Sequence, residues 1–452
     1  MISVVDTTRC KTYHLGNLDQ IPQLDVLTEE QRFDIEVVGR VLPFKINNFV
    51  TDELIQWDDV PDDPIFLLTF PQRDMLRPHH YDEMAALVRS GADRSIIRQL
   101  ADRIRLELNP HPAGQLNLNV PVFQNELFRG MQHKYDQTVL FFPSQGQTCY
   151  AYCSFCFRWP QFSGMSTFKF ASSEIDLLIA YLREHPEVTD VLFTGGDPLT
   201  MSANLLSYYL ESLIQADIPT LRRIRIGTKT LSYWPFKFLT DRDADEVLAV
   251  FRRITEAGKH LAVMAHFNHP RELEPQAVKD AIQRVRETGA EIRTQSPLLG
   301  RVNDQPEIWA DLWNEQVDLG CVPYYMFIAR NTGAQDYFSI PLIKAWEIYQ
   351  SASRQVSGLC RTARGPSMST KPGKIQVMGP CEVAGEKVIA LRFLQARNPD
   401  WVHRPFFAEY NDQAVWLNEL KPAFGKDRFF FEDELDRIYH ENFGRGTADN
   451  FE

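Results

Sequence analysis

What most constrains this chain is an alternation that begins near residue 138. Short β-branched or apolar runs of strand period are each followed by a longer segment of helical period. Six runs fit, at 138–142, 190–193, 223–226, 261–266, 291–294 and 322–328. Strands that alternate with helices build a parallel sheet, because a parallel pair needs a long crossover. Six βα units are two short of a closed eight-unit barrel, so the expected fold is α/β, a partial and open (β/α)6 barrel. Among its helices, 173–184 carries an apolar stripe of Ile175, Leu178, Ile179 and Leu182 behind a capping-box spacing, Ser173 with Asp176. Ser202 is placed to cap the next helix.

The rest of the chain frames this array. Residues 1–130 are expected to be a mainly helical N-terminal region, clearest over 28–40 and 81–107, with 131–355 as the barrel and 356–452 as a C-terminal extension. Within the extension, 358–379 is dense in Gly, Pro, Ser and Thr and reads as an ordered loop. An aromatic cluster at Phe429, Phe430 and Phe431 precedes an expected helix at 432–439. With 48 basic against 60 acidic residues the net charge is −12 and no Lys/Arg block stands out, which argues against a nucleic-acid partner. No run of about 18 apolar residues is present and the start has no export signal, so a soluble, cytoplasmic protein without a membrane partner is expected.

Seven cysteines, four of them scattered, do not make a secreted disulfide framework. The other three, Cys149, Cys153 and Cys156, follow the spacing C-x3-C-x2-C, which lets one tight loop offer three thiolates to three irons of a 4Fe-4S cube. The fourth iron then has no protein ligand and is open to the amino and carboxylate groups of S-adenosylmethionine (SAM), whose reduction releases a 5′-deoxyadenosyl radical. A zinc site is the competing reading, but structural zinc wants four ligands, usually as two spaced pairs, and no second pair appears. The cysteine run resembles the radical SAM superfamily, down to Phe155 before the third cysteine, where that superfamily contacts adenine.

After the second strand, TGGDP at 194–198 pairs two glycines, which allow close backbone approach, with a carboxylate able to take an ammonium. It resembles the superfamily's GGE-type motif, so Gly195, Gly196 and Asp197 are expected at the SAM methionine. Polar residues at the carboxyl ends of barrel strands line the active site, which adds His266, Asn268, Gln295 and Arg330 as candidates, with His266 and Gln295 assigned to SAM.

HFNHP at 266–270, QSPLL at 295–299 with Val302, Asn303 and Asp304, PYY at 323–325 and FKINN at 44–48 occur in an order that resembles the lysine 2,3-aminomutase family over residues 40–375. The resemblance implies an aminomutase that moves an amino group from C2 to C3 of an amino acid held on pyridoxal phosphate (PLP). It further implies a PLP lysine in the loop after the last strand, where Lys371 falls with Lys374 as its rival. The family binds the PLP phosphate partly with two arginines before the cysteine loop; Lys134, Tyr135 and Thr138 stand in that segment here. Arg158, just beyond the cysteines, is implied to take the substrate α-carboxylate. Two aspartates bind the distal ammonium in lysine-specific members, and Arg330 and Arg364 occupy those places, which implies an acidic substrate. Moving nitrogen between C2 and C3 of aspartate regenerates aspartate, so glutamate or a longer analogue is the simplest productive choice. A flavodoxin or ferredoxin as electron donor and a homodimer are also implied. Two other readings stay open: a radical SAM enzyme without PLP, and a non-catalytic iron-sulfur or zinc module.

Overall fold

The computed structural model describes residues 9–443 apart from residue 117. One sheet of eleven strands dominates it: β1 (Met131–Tyr135), β2 (Thr138–Phe141), β3 (Asp190–Phe193), β4 (Arg223–Thr228), β5 (His260–His266), β6 (Glu291–Leu298), β7 (Val322–Ile328), β8 (Arg364–Ser369), β9 (Gly373–Val383), β10 (Glu386–Ala396) and β11 (Pro405–Glu409). The spatial order is the chain order. Strands β2 to β8 pair parallel, whereas β1 and the run β8 to β11 pair antiparallel.

Before the sheet lie α1 (Glu29–Val41), α2 (Pro78–Arg89) and α3 (Arg94–Glu107). Thr28 caps α1 by the reciprocal bonding with Gln31 that its sequence predicts. The stretch 81–107, read as one periodic run, is two helices, because Gly91 turns the chain at residues 90–93. Between the parallel strands run α4 (Ile175–Glu184), α5 (Ala203–Gln215), α6 (Ala244–Glu256), α7 (Gln276–Arg286), α8 (Pro306–Asp318) and α9 (Leu342–Gln355), which makes six βα units, as expected. Ser202 caps α5 by accepting from Leu205 N–H. Ser173 does not cap α4: Glu174 holds the cap position without a side-chain bond, and Ser172 accepts the Glu174 N–H. Helix α10 (Glu432–Phe443) follows the aromatic cluster, as the sequence predicts.

The principal correction concerns 358–379. The segment is not a loop but contributes β8 and the start of β9, so the sheet passes unbroken into the last hundred residues. Its small residues Gly365, Pro366 and Ser367 are buried between β7 and β9, a packing role that conceals strand period.

Alternation along the strands separates two faces. On β4, Ile224 and Ile226 are fully buried in the main core, whereas Arg225 and Gly227 line a cavity. That cavity, of about 380 Å³, takes residues from β1 through β10, so the sheet curls around it as an open barrel.

Candidate functional site

Cys149, Cys153 and Cys156 follow β2 and line one end of the cavity. Their loop is held mainly from the N-terminal region: Tyr152 N–H donates to Lys45 O at 2.8 Å, Ser154 N–H to Leu68 O at 2.9 Å and Ser154 Oγ to Leu67 O at 2.7 Å. Asn47, wholly buried, donates through Nδ2 to Tyr150 O and to Tyr233 O. FKINN therefore acts as a clamp on the cysteine loop.

The three thiols suit a cluster better than one metal ion. Four sulfurs at about 2.3 Å from a single zinc sit roughly 4 Å apart, but the three sulfurs here do not gather within 4.8 Å of one another. Among the described residues only His79, His80 and Glu107, away from the cysteines, bring three possible ligand atoms that close. Burial pushes the Cys149 thiol well above its ordinary value and Cys153 up to about 12, so ligation must displace the protons.

Beside the cysteines, Gly195 has φ of +137°, and a Cβ on Gly196 would fall 2.4 Å from the Thr148 carbonyl oxygen, so this turn tolerates only glycine. Asp197 is buried and spoken for: Thr228 Oγ1 lies 2.8 Å from both carboxylate oxygens, Lys229 N–H donates at 2.8 Å and Leu199 N–H at 3.0 Å. These donors tie β3 to β4 through the Asp197 carboxylate, which still lines the cavity. Gly195, Gly196, Asp197 and Phe155 all face the cavity.

His266 and Gln295, at the ends of neighbouring strands, meet at 2.8 Å through His266 Nε2 and Gln295 Nε2. Burial, then the Lys229 charge, lowers the His266 pKa to about 3, so the imidazole is neutral and accepts this bond. Asn268 does not line the cavity. It accepts from Lys229 Nζ at 3.0 Å, while Lys229 forms a buried ion pair with Glu272. Asn303 joins the two motifs by accepting from Leu299 N–H and donating to Asn268 O.

Beyond the SAM-facing residues the cavity lining is cationic. Lys134, Arg158, Arg330 and Lys374 line it, together with Tyr135, Thr138 and Arg225. Arg158 stacks on Phe142 and Phe157, and its buried Nη1 has no partner. Burial, then Arg330, lowers the Arg158 pKa to about 9, and burial lowers Arg330 to about 10. Arg330 donates to Ser369 O at 2.8 Å and lies over Phe157; Lys134 donates to Thr370 O. Lys374 sits 3.9 Å above the Tyr325 ring, and burial reinforced by Arg364, Arg225 and Arg330 holds its amine well below the ordinary lysine range. Burial, with Arg397, Arg330 and Lys374, does the same to Lys134.

Besides Asn268, two more expected residues fall outside. Lys371 lies in the turn between β8 and β9, where its carbonyl accepts from Arg397 Nε at 2.9 Å, and it is not among the residues lining the cavity. Because β9 begins at Gly373, Lys374 is the lysine turned inward. Arg364 does not line the cavity either; it is stacked on the Tyr324 and Tyr325 rings and stiffens that wall. Sequence reasoning missed Arg225 and Tyr325. Arg225 carries a signal, a charge flanked by Ile224 and Ile226 inside a strand. Tyr325, whose Oη is buried and unpartnered, carries only its place in the PYY motif.

No family model matches the chain. An Aquifex aeolicus protein assigned as an L-lysine 2,3-aminomutase is 30% identical over 396 residues, 88% of this chain and 92% of the relative. The L-lysine 2,3-aminomutase of Clostridium subterminale is 30% identical over 58% of this chain and 60% of its own length. The glutamate 2,3-aminomutase of Clostridioides difficile is 25% identical over 76% of this chain and 70% of its length. Among solved structures, SuiB of Streptococcus suis bound to the precursor peptide SuiA aligns over 60% of this chain with a TM-score of 0.34 and 12% identity, too distant to carry an argument. The near full-length match to an aminomutase, with the cysteine loop and its neighbouring strand ends gathered on one cavity, means that this chain belongs to the lysine 2,3-aminomutase family of radical SAM isomerases.

Proposed function

We propose that the protein is a PLP-dependent radical SAM 2,3-aminomutase for an acidic amino acid, glutamate or a longer analogue. The observation that carries this is the unbalanced positive charge along the cavity lining. Among the described residues, Lys134, Arg158, Arg330 and Lys374 meet no carboxylate within ion-pair distance, although Arg158 is buried and the other three are part-buried. Buried cations without counter-ions are costly, and anionic ligands relieve the cost. An amino acid with two carboxylates and a phosphorylated cofactor bring such anions; a lysine substrate would add one more cation.

In this reading Cys149, Cys153 and Cys156 hold the 4Fe-4S cluster, and Phe155, the Gly195–Gly196 turn, His266 and Gln295 surround SAM. PLP supplies the π-system through which nitrogen moves between adjacent carbons. Lys374 holds it, its amine kept well below the ordinary lysine range by burial and cationic neighbours, with Lys134 and Tyr135 beside it. Arg158 takes the α-carboxylate and Arg330 the distal one. Phe142, Phe157 and Tyr325 exclude water around them. A flavodoxin or ferredoxin supplies the electron, and the working form is a homodimer in the cytoplasm.

The test is anaerobic turnover with glutamate, 2-aminoadipate, phosphoserine and lysine, read by chromatography of the β-isomers. An acidic substrate is expected to turn over and lysine to be rejected, with Arg330→Ala costing about 2–5 kcal/mol of substrate binding. Efficient lysine turnover would overturn the substrate assignment.

A further inference from the structure

Arg225 has no part in the roles given so far, yet its position is unusual. It stands inside β4, flanked by two wholly buried isoleucines, and turns its guanidinium into the cavity. Asp190 on β3 pairs with Arg225 Nη2, and Thr138 on β2 sits 3.1 Å from the same nitrogen while donating to Asp190 Oδ1 at 3.2 Å. Three neighbouring strands thus hold one edge of the guanidinium still. Nε is buried without a partner. A guanidinium clamped by a carboxylate behind it, with donors left over in front, is built to present those donors to an anion at low entropic cost.

Which anion follows from where Arg225 lies. Lys374 feels the charges of Arg225 and Arg330, whereas Arg158 feels Arg330 and Cys156. Thr138 and Asp190, which hold Arg225, open β2 and β3, whereas the cysteine loop follows the other end of β2, so Arg225 stands toward the end of the barrel away from that loop, where its charge bears on Lys374. Asp190 offsets Arg225 alone, and Lys134 and Lys374, whose amines burial and cationic neighbours push toward the neutral form, take up protons again when an anion enters. A phosphate monoester, doubly charged near neutral pH, suits those two amines better than a second carboxylate.

We propose that Arg225, oriented by Asp190 and Thr138, anchors the phosphate of PLP, in place of a guanidinium from the segment before the cysteine loop. The inference rests on the PLP reading above. It is tested by absorbance titration of the full-length, anaerobically reconstituted protein, stripped of PLP, with PLP and with pyridoxal, which lacks the phosphate. Arg225→Gln should weaken PLP binding about ten- to a hundredfold, the size of one lost charge-assisted hydrogen bond, and leave pyridoxal binding unchanged. Asp190→Asn, which keeps the guanidinium but frees it, should erode the same preference less. Equal loss for both ligands would make Arg225 merely structural, and no loss for either would remove it from the site; both overturn the proposal. An effect confined to the KM of a phosphorylated substrate would assign the anion to the substrate and also overturn it. A wild-type protein that binds neither ligand would sink the cofactor reading itself, an outcome distinct from the others.

Discussion

Lys371 and Lys374 are three residues apart and chemically unlike. The first is in a turn; the second lies over the Tyr325 ring, where burial and then the neighbouring arginines hold its amine well below the ordinary range. A neutral amine is the form that captures an aldehyde, so the sign of the pH effect is set: capture weakens as pH falls through the depressed pKa, whereas an ordinary lysine would already lose it below about 10.4. Borohydride reduction after PLP loading, followed by peptide mass mapping at several pH values, should find the adduct on Lys374 at neutral pH. Lys374→Ala should abolish it, and Lys371→Ala should retain it. An adduct on Lys371 would reverse the assignment. At this scale the sequence was most legible where chemistry needs a rigid spacing, as in Cys149, Cys153 and Cys156, whose side chains all face the cavity. It was less legible where one residue of register decides which way a side chain points. The family resemblance puts Arg364 and Lys371, with Lys374 as its rival, at the site; in a strand that starts at Gly373, Lys374 lines the cavity and the other two do not.

Elements with a clean period were readable for the same reason that they are stable. The apolar stripe of α4 and the short runs of β3 and β7 are buried on the faces their periods predict, because a helix or strand in a barrel wall has one side to hide. The hairpin of β8 and β9 was not readable, since Gly365, Pro366 and Ser367 lack side chains that mark a face, and long-range pairing decides their conformation. Its turn is secured from outside by Arg397, which donates to Lys371 O at 2.9 Å, to Leu118 O at 3.4 Å and to Asn119 Oδ1, with Tyr439 of α10 beneath the guanidinium. Arg397→Ala should therefore lower stability by about 1.5–3 kcal/mol and loosen the hairpin selectively. Hydrogen exchange should rise in residues 369–376 before it rises in β3 or β4; a uniform rise across the sheet would show that Arg397 does not act locally.

The whole molecule assigns the cysteine loop to two parts of the chain. The barrel carries the thiols, but residues 45–68 supply the acceptors that fix the loop backbone, and Asn47 bridges it to Tyr233 after β4. A 4Fe-4S cube missing one protein ligand is exposed to loss, so its lifetime should depend on how still the other three ligands are held. Asn47→Ala would leave the Tyr150 and Tyr233 carbonyls without this donor and Val50 N–H without its acceptor, at a cost of about 1–3 kcal/mol. Its neighbour Asn48, also buried, accepts from Lys11 N–H and touches no part of the loop through that bond, so Asn48→Ala provides a control of similar burial. Both variants should melt earlier than the parent protein in anaerobic calorimetry. Only Asn47→Ala should also lose its iron-sulfur absorption faster in air at a temperature where both remain folded. Equal rates of cluster loss in the two variants would mean that the N-terminal region stabilises the fold in general and does not steady the cysteines.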